Sequence, residues 1–469
     1  MKLFSRTGAL VPVVIVFMLI ALFGLAPVPH TVGRDFEQVL SVDDPGGAAH
    51  SYARLAAQMP WWPELWEKAG HDALQNADPE NAIVYFQQAS QGGPLTTPAK
   101  IALGDAHHLT GDLDAAVLAW SDAGQHPDAL RRLADSYIAV HDYGTAIPIL
   151  KTLRIGSQDP ALYTRLGLLL AAHQPGTAPP FLLEAAELDG EHAPFLDALR
   201  FEIQRALPRN LPAYTLLISG RYLASAGYWD LAAHAFARAA SLRPDFSEAW
   251  AYLGEAQQHL STGDADLGLE ALTKSLSIDP SSIAGNTLMA LYWQRHADFE
   301  MAQKYIQTAL ISDQRSPALY MQLGELVALD GDLSTAQSYY QAAVDTSPRD
   351  SAVYQALAEF SIRYHIDIRT VALPAARQAV LLSSHDAAAL DTLGQVLFVL
   401  GDSLNAERFY QRSLGEDPTY GPAHLHLGIL YLEGGFMRLA HDHLEHAALL
   451  APGTGTAAHA RRLLAEFIP

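Results

Sequence analysis

The chain has 469 residues, 49% of them hydrophobic and 17% charged, with 51 Asp and Glu against 30 Lys and Arg for a formal net charge of −21. So apolar a composition excludes wholesale disorder, and the acidic balance without any Lys/Arg run makes a phosphate backbone a poor partner. The absence of cysteine removes disulfides, thiol catalysis and Cys-ligated metals together.

In chain order, residues 1–8 carry Lys2 and Arg6. Residues 9–26, from Ala9 to Ala26, have no charged side chain. That length, at about 1.5 Å per residue, makes a helix of about 27 Å, the hydrocarbon thickness of a bilayer. Mainly acidic residues come next (Arg34, Asp35, Glu37, Asp43, Asp44). The bias of positive charge predicts a single-pass transmembrane signal anchor, with residues 1–8 cytoplasmic and everything after Pro27 extracytoplasmic. The alternative is secretion after cleavage at Gly24-Leu25-Ala26, which Pro27 just beyond the cut disfavours. Residues 27–47, with prolines, glycines and acids, read as a linker.

From residue 48 a unit returns about every 34 residues; Gly394 to Gly428 is 428 − 394 = 34. One copy is Tyr320-x2-Leu323-Gly324, Ala336-x3-Tyr340, Ala343 and Pro348. Each copy predicts two helices. Ala or Gly at the crossing lets two backbones approach, and a bulky residue one turn away fills the space beside it. Spacings of three and four hold these residues on one face, and a proline closes the unit because it cannot continue a helix. Ala48–Gln58, before Pro60, reads as an isolated second helix. Copies stand at Trp66/Gly70/Ala82/Phe86 and at Leu103-Gly104/Ala116-x3-Trp120. The next has Leu133-Ala134, Tyr137 and Ala146, with Pro148 falling in the first turn of its second helix. After Leu166-Gly167, the prolines Pro175, Pro179 and Pro180 shorten the rest of that copy. An extra segment, Ala193–Ala206, ends a first block over 48–206. A second block, 207–456, has copies around Gly220, Gly254, Ala290, Gly324, Ala358, Gly394 and Gly428. Two are lengthened by two residues, one in the Thr262–Leu267 turn and one after Tyr354. Residues 457–469 form a capping helix with Arg461, Arg462 and Glu466 on its polar face.

The pattern resembles the tetratricopeptide repeat family, whose signature includes W-x2-L-G-x2-Y, a later A-x3-F and a closing P. The resemblance implies an all-α solenoid, a superhelix of about ten to eleven helix-turn-helix units behind the transmembrane helix. It implies a membrane-tethered scaffold or adaptor that binds proteins or peptides and supports assembly or recruitment of a complex on the extracytoplasmic side. An alternative is an accessory or regulatory subunit of a membrane-associated enzyme system, such as glycan or polysaccharide handling or secretion. In the family the first helices line an inner groove for an extended peptide or a partner helix. The corresponding positions are Glu67, His71, Asp105, His108, Arg131, Asp135, Arg221, Glu255, Glu325, Gln355, Glu359, Asp391 and Gln395. Mostly acid and amide, they favour partners with basic or polar segments.

No catalytic constellation is present, neither a phosphate loop nor G-x-S-x-G nor H-E-x-x-H, so neither an enzyme, a cofactor nor a small-molecule substrate is expected. Asp112, Asp264, Asp332 and Asp402 read as turn and capping residues. His441, His443 and His446 share one predicted helix, and His424 and His426 its partner. His441 and His443 point apart and no full ligand set results, so no metal site is assigned. Trp61-Trp62, between Pro60 and Pro63, read as a cap on the first core rather than as an interfacial anchor.

Overall fold

The computed structural model describes residues 45–59, 61–260 and 265–467. Among them are 25 α-helices joined by short turns, and two compact units, dividing between Phe201 and Glu202. In the first unit, α1 (Pro45–Gln58) precedes the pairs α2 (Glu64–Gln75) with α3 (Pro79–Gly92), α4 (Thr97–Leu109) with α5 (Leu113–Asp122), α6 (Pro127–Ala139) with α7 (Tyr143–Arg154), and α8 (Pro160–His173) with α9 (Pro179–Leu188). Helix α10 (Ala193–Ala206) spans the division. In the second unit the pairs are α11 (Pro212–Ser225) with α12 (Trp229–Leu242), α13 (Ser247–His259) with α14 (Ala265–Ile278), α15 (Ile283–Arg295) with α16 (Phe299–Ser312), and α17 (Pro317–Leu329) with α18 (Leu333–Thr346). They continue through α19 (Ser351–Arg363) with α20 (Leu373–Leu382), α21 (Ala387–Val399) with α22 (Ser403–Glu416), and α23 (Gly421–Glu433) with α24 (Met437–Leu450), followed by α25 (Gly455–Phe467).

The residues that repeat are those that make a pair. Gly394 on α21 lies so close to α22 that a Cβ there would sit 2.6 Å from Tyr410 Cδ1, and Tyr410 is fully buried. Gly70 faces Phe86 in the same way, at 2.7 Å. The small residue and the aromatic are two halves of one contact, because backbone approach is possible only where one side chain is missing. Many of the turns between paired helices place one residue at positive φ and then an aspartate, as at Gly111, Gly331 and Gly401. Asp112, Asp332 and Asp402 accept from the backbone N–H of Ala115, Thr335 and Asn405 at 3.1, 3.0 and 3.3 Å, filling one orphan donor at each helix start. Asp264 lies outside the described residues.

The irregular places have their cause in composition. Pro148 sits at the sixth position of α7 rather than in its first turn, and its carbonyl accepts from Thr152 Oγ1 at 3.1 Å. Pro175–Thr177 forms a 3-10 turn, so α9 starts late, at Pro179, and has 10 residues. The two extra residues after Tyr354 are taken up before α20. His365 and Asp367 adopt positive φ, and Ile368–Ala372 winds as a π-helical turn in which the Ala372 N–H reaches Asp367 O. The other lengthened turn falls largely within 261–264, outside the described residues.

The membrane topology expected from the sequence is corrected by the structure. Among the described residues no helix is long and apolar enough to cross a bilayer, so single-pass topology with an extracytoplasmic array is without support. The segments that carried it, 1–8 and 9–26, lie outside the described residues, as does most of the expected linker 27–47; α1 begins at Pro45. Next to it, Trp62 is partly buried against Leu55, Ala56 and Leu65, whereas Trp61 is exposed.

Candidate binding face of the first helices

Successive first helices pack side by side, α2 on α4, α13 on α15, and α17, α19, α21 and α23 in turn. Their polar residues therefore lie within reach of the next repeat, and the structure shows that most are joined across that boundary. In the first unit, Glu67 accepts from Thr96, N–H at 2.8 Å and Oγ1 at 2.6 Å, and Thr96 is itself the N-cap of α4. Asp105 accepts from Arg132 on α6, with Nη2 to Oδ2 at 2.8 Å, and from Trp120 Nε1 at 3.1 Å. Asp135 pairs with Arg165 on α8.

The second unit continues the same ladder. Arg295 on α15 donates to both oxygens of Glu255 at 2.9 and 2.6 Å, and His259 lies 3.0 Å from Glu255 Oε1. Glu325 takes Arg363 Nη1 at 2.7 Å and the Tyr340 hydroxyl at 3.0 Å. Gln355 donates to Asp386, the N-cap of α21, at 2.8 Å. Glu359 accepts from Thr392 Oγ1 at 3.3 Å. Asp391 is 2% exposed and is held by His426 Nδ1 at 2.8 and 3.0 Å and by Gln395 Nε2 at 3.0 Å. A carboxylate so buried needs these donors, since an unpaired buried charge costs several kcal/mol.

The remaining candidates stay within their own repeat or stack on a ring. His71 meets the edge of Phe86 at 5.3 Å, and burial pushes its pKa down. His108 lies against Trp120 at 5.8 Å. Arg131 pairs with Asp128 at 3.3 Å, and the Arg221 guanidinium lies over Tyr252 at 5.1 Å. Sequence reading did not find the partners Arg132, Arg165, Arg295, Arg363, Thr392 and His426. A signal existed: a donor stands between 27 and 40 residues after each acid, about one repeat on.

Glu359 differs from the other acids. Its one hydrogen-bond donor is a hydroxyl, and no cation lies within ion-pair distance among the described residues. Desolvation by the surrounding protein raises its pKa above the usual carboxylate value, with the charge of Asp391 adding to it and the Thr392 hydrogen bond and the more distant charges of Arg363 and His426 offsetting it in part.

The histidines of the last pair separate. His426 serves Asp391, while His424, His443 and His446 come together between α23 and α24. Among the described residues no group of three or more His, Asp or Glu side chains has the geometry to hold a metal ion.

A family model for the tetratricopeptide repeat matches residues 67–129, 219–283 and 288–351. Those segments are tetratricopeptide repeats. Their matched spans begin in the helix pairs starting at α2, α11 and α15, and of the unmatched pairs of the second unit α21 and α22 repeat the glycine-to-aromatic contact at Gly394 and Tyr410, while Gly428 on α23 packs on Leu444. Yeast Tom70 superposes with a TM-score of 0.46 at 15% identity, covering 86% of this chain and 94% of that one. A chain of the APC/C hetero-tetramer Cut9–Hcn1 gives 0.41 at 14% identity, over 93% and 97%. YrrB, described as a tetratricopeptide repeat protein with an unusual peptide-binding site, gives 0.29 at 20% identity, over 41% and 98%. No curated protein sequence matches this one.

Proposed function

We propose that the chain is a scaffold or adaptor that holds a protein or peptide partner against the first helices of its repeats and so supports assembly or recruitment of a complex. The observation that carries this reading is the row of polar, solvent-reaching pairs from one first helix to the next within each unit. Its members keep accessible charge: Asp135 is 57% and Arg165 44% exposed at the side chain, Glu325 33% and Arg363 57%. Exposed ion pairs are weak, roughly 0–1 kcal/mol, so they exchange partners with a ligand at little cost. Glu359, without a cation of its own, favours a basic side chain on the partner, in keeping with the net charge of −21.

The test is binding of fluorescent peptides of basic, neutral and acidic composition to the full chain, read as anisotropy at two salt concentrations. Basic peptides bind most tightly and weaken with salt, and Glu359→Lys lowers that affinity by about tenfold, about 1.4 kcal/mol. Equal binding of all three peptide classes, or an unchanged affinity in Glu359→Lys, would overturn the reading.

A further inference from the structure

Three imidazoles meet where the last helix pair closes. His424 on α23 and His443 on α24 face each other through Nδ1 atoms 3.0 Å apart. The His446 ring lies parallel to His424, with centroids 5.1 Å apart. The contacts fix the protons. His424 Nε2 lies 3.2 Å from the carbonyl of Pro418 and must donate to it, so a neutral His424 presents a lone pair at Nδ1 and His443 donates there. His446 Nδ1 lies 2.6 Å from Asp442 O and donates to that carbonyl. One added proton is accommodated at His443 Nε2, with its Nδ1–H still donating to His424 Nδ1. A second sets two N–H groups head to head at that 3.0 Å contact and two cations beside a third ring.

Asp442 on α24 is the neighbouring acid whose charge reaches His443, and the other charged groups on the elements packed around the cluster make their contacts elsewhere. On α21 Asp391 is held by His426, and on α22 Glu407 accepts from the Tyr431 hydroxyl at 2.6 Å. In the turn before α23, Asp417 accepts from Thr419. On α24, His441 lies 3.8 Å from Asp442 and 3.7 Å from Glu445. On α25, Arg461 donates to Ala448 O and His459 is near Arg462. Arg408, Arg412, Glu416, Glu433, Arg438 and Glu466, on the same helices, make no hydrogen bond or ion pair to the three rings. Behind the cluster lies the small core of Leu425, Leu444, Ala447, Ala448 and Ala460 that seats α24 and α25.

We propose that this imidazole cluster is an acid-operated release: on acidification α24 and α25 loosen from α23 while the earlier repeats of the second unit stay folded. Among the described residues the α23–α24 pair packs on a full helix pair on one side and on the single helix α25 on the other, so fewer contacts hold it than hold an inner repeat. Desolvation, then the His424 and His446 charges, lower the His443 pKa from 6.5 to about 4, with Asp442 opposing; desolvation also lowers His424. Because the folded values lie below the unfolded one, the stability is fully present above pH 6.5 and falls as pH drops toward 4. For His443 alone, linkage sets an upper bound of about 30-fold on the opening equilibrium at pH 5, and on the order of tenfold once solvent screening of a partly exposed ring is allowed for.

Hydrogen exchange of the full chain at pH 7.5 and pH 5.0, each corrected for intrinsic rate, tests this. Amides of α24 and α25 gain about tenfold in opening relative to those of α17 and α18, and His443→Gln, which keeps an amide donor without titrating, removes most of that gain. An equal rise across all repeats of the second unit, or an unchanged gain in His443→Gln, would refute it. Should that variant not fold at neutral pH, NMR titration of the wild-type His443 ring decides: a midpoint well below 6.5 upholds the proposal, and one at 6.5 or above ends it.

Discussion

Removing one cation from the ladder tests whether the pairs between first helices hold the repeats together. Arg295→Met preserves much of the side chain's length and apolar stem but leaves Glu255 facing α15 without its guanidinium. The Glu255 side chain is 11% exposed and that of Arg295 35%, so the carboxylate has little water to replace what it loses. Two unit charges about 4 Å apart attract by about 4 kcal/mol at an effective dielectric of 20, and the desolvation of both groups offsets part of this. With His259 Nε2 still 3.0 Å from Oε1 the acid keeps one partner, so losing the guanidinium should cost about 2 kcal/mol, less than a fully stranded buried charge. Glu255→Gln, which removes the charge but keeps an acceptor, should cost about 1 kcal/mol. In the double variant the two losses should overlap, with a coupling of about 1.5 kcal/mol or more. The appropriate readout is hydrogen exchange in α13 and α15, because an array opens repeat by repeat. Single-variant effects that add to within about 0.5 kcal/mol would show that the pair contributes nothing specific, and the ladder would reduce to surface decoration.

Gly394→Ala places a Cβ against the buried Tyr410 ring, so overpacking of about 1–3 kcal/mol should outweigh the helix propensity gained and lower the melting temperature. Gly415→Ala, on α22 with nothing within 4 Å, is the control and should stabilise by up to about 1 kcal/mol. Asp402→Ala removes the cap on Asn405 and should cost about 1 kcal/mol, read as faster exchange in the first turn of α22. Ala297 holds φ at 59°, where Gly111, Gly331 and Gly401 stand in other turns, so Ala297→Gly should raise the melting temperature through a gain of about 0.5–1 kcal/mol.

The helix pairs were legible because the residues that make them recur at a spacing the backbone enforces. Gly394 and Tyr410 are visible in sequence as G and A-x3-Y, and the contact between them is what the spacing predicts. The caps were legible for the same local reason: Asp332 and Thr335 lie within one turn. The binding face was legible only as a set of positions. Which cation answers Glu255 depends on how far the next first helix is displaced, and Arg295 stands 40 residues on, whereas Arg132 stands 27 after Asp105. No local rule carries that offset; it is set by turn length and by how the side chains reach. The π-helical turn at Ile368–Ala372 was visible as two surplus residues but not as a conformation, since extra length is taken up equally well by a loop.

The ladder has a consequence for how such a chain reaches its fold. Near-identical helix pairs invite errors in which one repeat docks on the wrong neighbour, skipping a unit or exchanging with another copy of the chain. The apolar contacts discriminate little where a glycine meets an aromatic ring in the same way, as at Gly70 with Phe86, Gly220 with Phe236 and Gly394 with Tyr410. The polar pairs are not interchangeable: Asp391 needs an imidazole, Glu255 a forked guanidinium reached from 40 residues away, and Gln355 the aspartate that caps α21. A skipped repeat would take His426 away from the buried Asp391. The row of pairs thus gives each repeat an address, and the cost of a wrong address falls on misassembled chains rather than on the native one.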